Sequence, residues 1–436
     1  MSARESTNGL IGPLWIENLA NGGKGIARDN GRVIFVANAF PGDLVLCRVT
    51  NAKKNYAEAE VVDLLQLSPQ RRIPPCPVAE ECGGCQWQQL PYTEQLKWKQ
   101  QLFSDTLIRK LRIDPQLIRQ IAPSPDEFGY RSRVQVKCHL APDGFVTGFF
   151  RPRSRFVVAV DSCPLMPPHL NQLLRRLREP IASSRFVDKI PQIDLATGYD
   201  DRSRAVVHYL GTEKAAISEM LLPVAERFDF DLVIQCGRKE SLSTVRGSGE
   251  LKISVDQPDL LLTYAAGGFA QINLLQNRKL VEAVMAAAEC KGDEQVLDLY
   301  CGMGNFSLPL ARRAAQVTGV EDFAPSIEMA RRNARANDIA NVDFQVCSAE
   351  QVLLNSSTKF DLLVLDPPRA GAFAVVKQLL KRPIRRVAYV SCDPQTLARD
   401  LQVLLHGGYR LVSSQAFDMF PQTHHVESLT VLEKQL

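Results

Sequence analysis

Near the C-terminus the 436-residue chain reads RRVAYVSCDPQTLARD, with Cys392 at the seam between an apolar run and a proline. VAYV is short, apolar and β-branched, the pattern of a buried strand. PQTLARDLQVLLHGG opens on Pro394 and closes on Gly407 and Gly408, the punctuation of a helix. The thiol is therefore expected on a strand-to-helix turn, where the positive end of a helix dipole would lower its pKa and favour the nucleophilic thiolate. On position alone, a small apolar side chain closing a core strand would look the same. A second group of sulfurs, Cys76, Cys82 and Cys85, is gathered in CPVAEECGGC, where glycines let backbone N–H groups face sulfur. Three thiols in one tight loop suit tetrahedral zinc or an iron–sulfur cluster, and both need a fourth ligand. Cys163, in DSCP, is the expected fourth, because Cys138 lies inside a strand pattern and reads as core.

The stretch VLDLYCGMGNF ends a strand with an acid, Asp298, and sets Gly302 and Gly304 before a helix, so that the backbone can turn sharply and approach a ligand. A dinucleotide fingerprint would have a third glycine where this chain has Ser307. The spacing D-x-x-x-G-x-G is instead similar to the first motif of class I S-adenosylmethionine-dependent methyltransferases, and Glu321, closing VTGVE, stands where a carboxylate would hold two ribose hydroxyls. FDLLVLDPPR places Asp366 before a rigid diproline at the C-terminal edge of a sheet, where α/β proteins bind ligands. Similar D/N-P-P-Y motifs serve methylation of amino groups, but here the fourth residue is an arginine.

Three textures of sequence carry these residues. From 8 to 67, short β-branched runs alternate with glycine turns, the pattern of a small, OB-like β-barrel with cations on its Gly-Lys-Gly and Asn-Lys-Lys loops. From 68 to 265 the chain is β-rich, with a Pro- and Arg-rich linker, the cysteine loop and one amphipathic helix around LNQLLRRLREP. From 266 to 436 strands and helices alternate, as in a doubly wound, Rossmann-like α/β domain. The net charge is +4. Residues 1 to 66 carry 7 basic and 7 acidic side chains, 67 to 163 carry 14 and 9, and the remainder 31 and 32, so the surplus sits in the middle segment. RSRVQVK and FRPRSR concentrate it, as a phosphate-tracking face would require. The N-terminus is polar, no apolar run is long enough to span a membrane, and eleven cysteines do not suggest a disulfide framework. A cytoplasmic protein, without membrane association and monomeric, is expected.

Taken together, GGFAQINLLQN, DLYCGMGNFSLPLA, VTGVE, LDPPRAG, YVSCDPQTLARD, HHVES and the C-x5-CGGC loop resemble the uridine C5 RNA methyltransferases, and the N-terminal barrel resembles a TRAM domain. The resemblance implies S-adenosylmethionine as methyl donor and a flipped uridine of 23S ribosomal RNA as acceptor. It also implies a [4Fe-4S] cluster, not zinc, on Cys76, Cys82, Cys85 and Cys163. Carried over residue by residue, it makes Cys392 the nucleophile and Glu427 the general base, with Gln271, Tyr300, Asn305, Glu321, Ser348 and Asp366 at cofactor positions. Tyr300 departs from the phenylalanine usual there. His424 and His425 are left without a role. Phe149, Phe150 and Trp87 are available for base stacking. A non-catalytic RNA-binding protein is the rival reading, against which the retained cysteine, glutamate and cofactor loop argue.

Overall fold

A computed structural model describes residues 9–237 and 241–435 of the chain; most of the polar N-terminal stretch, the first residue of the expected barrel and the last residue of the chain lie outside them. The barrel segment forms a six-stranded sheet in the spatial order Leu10–Trp15, Leu44–Ala52, Tyr56–Gln66, Arg32–Ala37, Gly25–Asp29, Asn18–Leu19. Alternating burial turns Ala27, Ile34, Val36, Val45, Cys47 and Ala57 into one core, which is how a period of two in the sequence becomes a one-sided sheet.

The central segment builds a seven-stranded sheet that includes Arg133–Ala141 and Gly144–Phe150. Two helices cover it. Pro168–Ala182 is the expected amphipathic one, whereas Lys214–Arg227 is not anticipated from the sequence.

The third sheet has eight strands: β1 (Ile118–Ala122), β2 (Gln295–Leu299), β3 (Gln316–Glu321), β4 (Val342–Val346), β5 (Leu362–Leu365), β6 (Arg386–Ser391), β7 (Tyr409–Phe417) and β8 (Glu427–Lys434). Their order is β4-β3-β2-β5-β6-β8-β7-β1, with β2 to β6 parallel and β8 antiparallel to both β6 and β7. The helices around it are α1 (Tyr92–Leu111), α2 (Leu274–Ala288), α3 (Ser307–Ala311), α4 (Ala324–Ala336), α5 (Ala349–Asn355), α6 (Phe373–Lys381) and α7 (Pro394–His406). Leu297, Leu299, Leu363, Leu365 and Val387 are fully buried among them, each contributing about 1.5–3 kcal/mol of transfer free energy.

Packing crosses the division drawn from sequence texture at 265. Helix α1 buries Phe103 and Leu107 against the core that also holds Leu397 and Leu401 of α7, and β1 adds itself to β7 at the sheet edge. The hairpin Glu250–Asp256/Leu260–Ala265 packs Ile253 and Leu262 against Ile327 and Phe344. Texture follows chain order, while the apolar faces of these segments find their partners in the third unit.

Candidate active site

The C-terminal ends of β2, β3, β5 and β6 converge on one edge. After β2 the chain turns through Tyr300 (φ 66°), Gly302 (φ 55°) and Gly304 (φ 98°), and the Cys301 N–H donates to the Val320 carbonyl at 3.0 Å. A Cβ on Gly304 would stand 3.0 Å from Leu308, whereas the space over Gly302 is open, leaving bare backbone facing the edge. Asp298 is fully buried. Its Oδ2 accepts from the Ser307 hydroxyl and its Oδ1 has no hydrogen-bond partner. Burial, reinforced by the charge of Asp366, pushes Asp298 up to about 7, and burial pushes Asp366 to about 7 as well. Glu321, ending β3, is raised by burial although it accepts the Phe323 N–H at 3.0 Å. Tyr300 is half-buried, and burial lifts its phenol to about 12.

The other expected cofactor residues are partly engaged elsewhere. Asn305 exchanges two hydrogen bonds with Asn277 of α2, at 2.8 and 3.1 Å. The Ser348 hydroxyl caps α5 by accepting from the Gln351 N–H at 3.4 Å. Gln271 is half-buried in the segment leading into α2, beside Ile272, whose carbonyl accepts the Ser132 N–H at 2.8 Å.

Cys392 directly follows β6. In the β6–β8 ladder Ser391 faces Ser428, whose hydroxyl donates to the Ser391 carbonyl at 3.0 Å, so the next step of the register sets Cys392 opposite Glu427. The environment of the thiol differs from the expectation. Burial, with the charge of Glu427 behind it, pushes Cys392 up to about 11, and only the Arg369 side chain and a backbone hydrogen bond act against the rise. The helix start does not serve the sulfur because Asp393 caps it, accepting from the Gln395 and Thr396 N–H groups at 2.9 Å each. Glu427 is 6 % exposed and is held well above the carboxylate range by burial and by Asp366, again with Arg369 opposing.

A cavity of about 230 Å³ opens on Cys392, and its lining includes Lys99, Arg369, His424, His425 and, from the barrel, Asn21 and Gly22. The two histidine rings lie 4.0 Å apart, and burial pushes both down to about 4, so they are neutral at physiological pH. Lys99 is buried and paired with Asp418 at 2.6 Å. Sequence reading missed Arg369, although it stood in the DPPR motif, and Lys99, which belongs to the unread helix α1. Two other expectations change: Trp87 is fully buried with Leu90 and Trp98, out of reach of any base, and Lys24 of the barrel is paired with Glu58 at 2.7 Å. Phe149 is half-buried and Phe150 is 38 % exposed.

Cys76, Cys82, Cys85 and Cys163 line a separate cavity of about 350 Å³. Burial raises Cys82, takes Cys85 to about 12 and takes Cys163 to about 11, and the sulfurs raise one another. Backbone N–H groups face them: Gly84 N–H reaches the Cys82 sulfur at 3.4 Å, and Leu165 and Met166 approach Cys163. Among the described residues no group of three or more His, Cys, Asp or Glu side chains is arranged to hold a metal ion. No helix among them is long and apolar enough to cross a membrane.

Comparison with known proteins bears on this arrangement. The model of the tRNA (uracil-5-)-methyltransferase family matches residues 91–435, and that of the TRAM domain matches 6–62. The chain is 35 % identical to a Pseudomonas putida protein named 23S rRNA (uracil(1939)-C(5))-methyltransferase RlmD, over 96 % of this chain and 92 % of that one. It is 36 % identical to the protein of the same name from Methylococcus capsulatus, over 96 % of each. The crystal structure of a Pyrococcus abyssi tRNA (uracil-54, C5)-methyltransferase in complex with S-adenosyl-L-homocysteine superposes with a TM-score of 0.76 at 28 % identity, covering 96 % of this chain and 99 % of that one. With a TRAM domain before its Rossmann-like catalytic sheet, the chain belongs to the tRNA (uracil-5-)-methyltransferase family.

Proposed function

We propose that the protein methylates C5 of a uridine in 23S ribosomal RNA, position 1939 in the numbering its relatives' names use, as a cytoplasmic monomer. The observation that carries the reading is the register that opposes Cys392 and Glu427 at the same sheet edge as Asp298, Glu321 and Asp366. A thiol, a buried acid and three carboxyls above an open glycine turn are what covalent methylation of a pyrimidine needs.

The donor set suits S-adenosylmethionine: raised carboxyls and an orphaned Asp298 oxygen gain from a cationic ligand, and Glu321 stands where ribose hydroxyls would be accepted. Asp366, Tyr300, Asn305, Gln271 and Ser348 complete the proposed set. When bound, this cosubstrate supplies the methyl group that C5 receives. The protein's own residues do the rest. Uracil C5 is a weak nucleophile, and addition of the Cys392 thiolate to C6 pushes the ring electrons into an enolate centred on C5. The thiolate forms most readily while Glu427 is protonated, because each negative charge penalises the other. Once sulfur is bonded to C6 it is a neutral thioether, and the cost of ionising Glu427 falls. The carboxylate then removes the C5 hydrogen, the electrons of that bond re-form the C5–C6 double bond, and the Cys392 sulfur leaves. Arg369, which favours both anions, is the cation that keeps the cycle accessible at neutral pH.

The reading extends to a [4Fe-4S] cluster on Cys76, Cys82, Cys85 and Cys163, supported by four thiols lining one cavity with amide N–H groups turned to sulfur. It would be structural, since methyl transfer moves no electron. The chain divides functionally into an RNA-binding barrel (8–67), a cluster-bearing segment (68–265) and a catalytic segment (266–436). The target base must leave its stack to reach Cys392.

The test is incubation with labelled S-adenosylmethionine and 23S rRNA fragments. Labelled 5-methyluridine is expected, and its absence would sink the reading. Glu427→Gln should accumulate a covalent protein–RNA adduct and Cys392→Ala should form none. Anaerobically prepared protein should be brown with iron and sulfide; colourless protein holding stoichiometric zinc would overturn the cluster.

A further inference from the structure

The cavity at Cys392 is walled in part by the barrel, a unit that by its class would be assigned only to RNA affinity. Its turn after Leu19 closes through Ala20 N–H to Lys24 carbonyl at 2.8 Å and Gly23 N–H to Ala20 carbonyl at 2.9 Å. Gly22 and Gly23 both have positive φ, 93° and 80°. A Cβ on Gly23 would stand 2.9 Å from the Cβ and 3.1 Å from the Nδ1 of His424, so this glycine lets the turn lie directly against the histidine. The turn is anchored on the far side as well, since the Gly23 carbonyl accepts from the buried Trp87 indole at 3.3 Å. Asn21 donates to the Thr106 hydroxyl of α1 at 3.1 Å, and Gln395, in the first turn of α7, reaches the same hydroxyl at 3.5 Å. Leu19 and Phe40 of the barrel share a core with Trp87, Leu90 and Trp98. A unit tethered only to hold RNA has no need of these close contacts.

We propose that the Asn21–Gly22–Gly23 turn is a wall of the target-base pocket, and that it positions His424 and, through Thr106, Gln395 beside Cys392. The barrel then governs the rate of the covalent step as well as the affinity for RNA. The inference rests on the proposed methyl transfer. It differs from a general RNA-binding role in what it demands of kinetics: loss of the wall misplaces the base in the bound complex, where misplacement of about 1 Å costs as much as a hundredfold in rate.

The experiment compares wild type, Gly23→Ala and Asn21→Ala in single-turnover methyl transfer to a 23S rRNA fragment at saturating RNA, with RNA dissociation constants measured separately. Both variants should lose about tenfold or more in rate while RNA affinity changes by less than about threefold. Alkylation of Cys392 by iodoacetamide, followed by peptide mass in protein without RNA or cosubstrate, should accelerate in Asn21→Ala as the wall loosens. If Gly23→Ala does not fold, Asn21→Ala, which loses one part-buried hydrogen bond, decides alone. Weakened affinity at an unchanged saturated rate, or wild-type rate together with wild-type alkylation, would overturn the proposal. Wild type that forms no 5-methyluridine fails the methyl-transfer reading instead, and the alkylation result still judges the wall.

Discussion

Cys392 directly follows a fully buried strand, and burial together with the charge of Glu427 holds its thiol protonated. The strand-to-helix seam, the diproline edge and the glycine loop were all readable, because each depends on local backbone preference. The thiol's environment was not, because it is set by Asp393 capping the helix and by Glu427 arriving from a strand 35 positions further on. The same edge stores buried acid, and the sign of its effect on stability can be worked out. Asp298 has a folded pKa of about 7 against an ordinary 3.8, so the folded state holds its proton more tightly than the unfolded chain. That stability is fully present below about pH 3.8 and is lost as the pH rises through about 7. Asp298→Asn, which cannot ionise, should therefore gain stability relative to wild type between pH 4 and pH 8, by several degrees in Tm for the cofactor-free protein, about 3 °C or more. A Tm difference between the two proteins that is independent of pH would mean that Asp298 is ionised in the fold.

Among the elements, α1 is the one whose omission from the sequence reading matters most. Its face YTEQLKWKQQLF carries lysines that read as solvated charge, yet Lys99 is fully buried and bonds both Asp418 at 2.6 Å and the Phe420 carbonyl at 3.0 Å. Only the tertiary partner makes that burial tolerable, and the partner lies more than 300 residues away in sequence. The pair pins the loop between β7 and β8, which delivers His424, His425 and Glu427 to the site. Lys99→Met should leave Asp418 buried without its cation and cost about 3–5 kcal/mol, whereas the double replacement Lys99→Met/Asp418→Leu should recover much of it. Urea unfolding of the three proteins measures both costs. Equal destabilisation by the single and the double variant would show that the pair contributes packing and no electrostatic coupling.

At the scale of the whole molecule, segments that the sequence separates into consecutive textures meet around one loop. Gln422 is the junction: it is fully buried at φ 70°, and its carbonyl accepts from Gln86 and Trp87 N–H groups at 3.1 and 3.0 Å, immediately after Cys85. Its backbone N–H donates to the Gln95 side chain of α1 at 2.9 Å, and its side-chain oxygen accepts from Gln95 at 2.9 Å and from Arg72 at 3.0 Å. The cavity of the four cysteines and the cavity of Cys392 share no lining residue, and the bonds of Gln422 run between the segments that carry them. Opening the cysteine loop should slacken the Gln86–Gln422 contact and, five residues on, the placement of Glu427. Cys85→Ser should therefore slow single-turnover methyl transfer by about tenfold even at saturating RNA. Gln422→Gly, which keeps the positive φ while removing the side-chain bonds, should slow it comparably. A Cys85→Ser protein that methylates at the wild-type rate would sever this coupling and confine the cysteine loop to holding its own segment together.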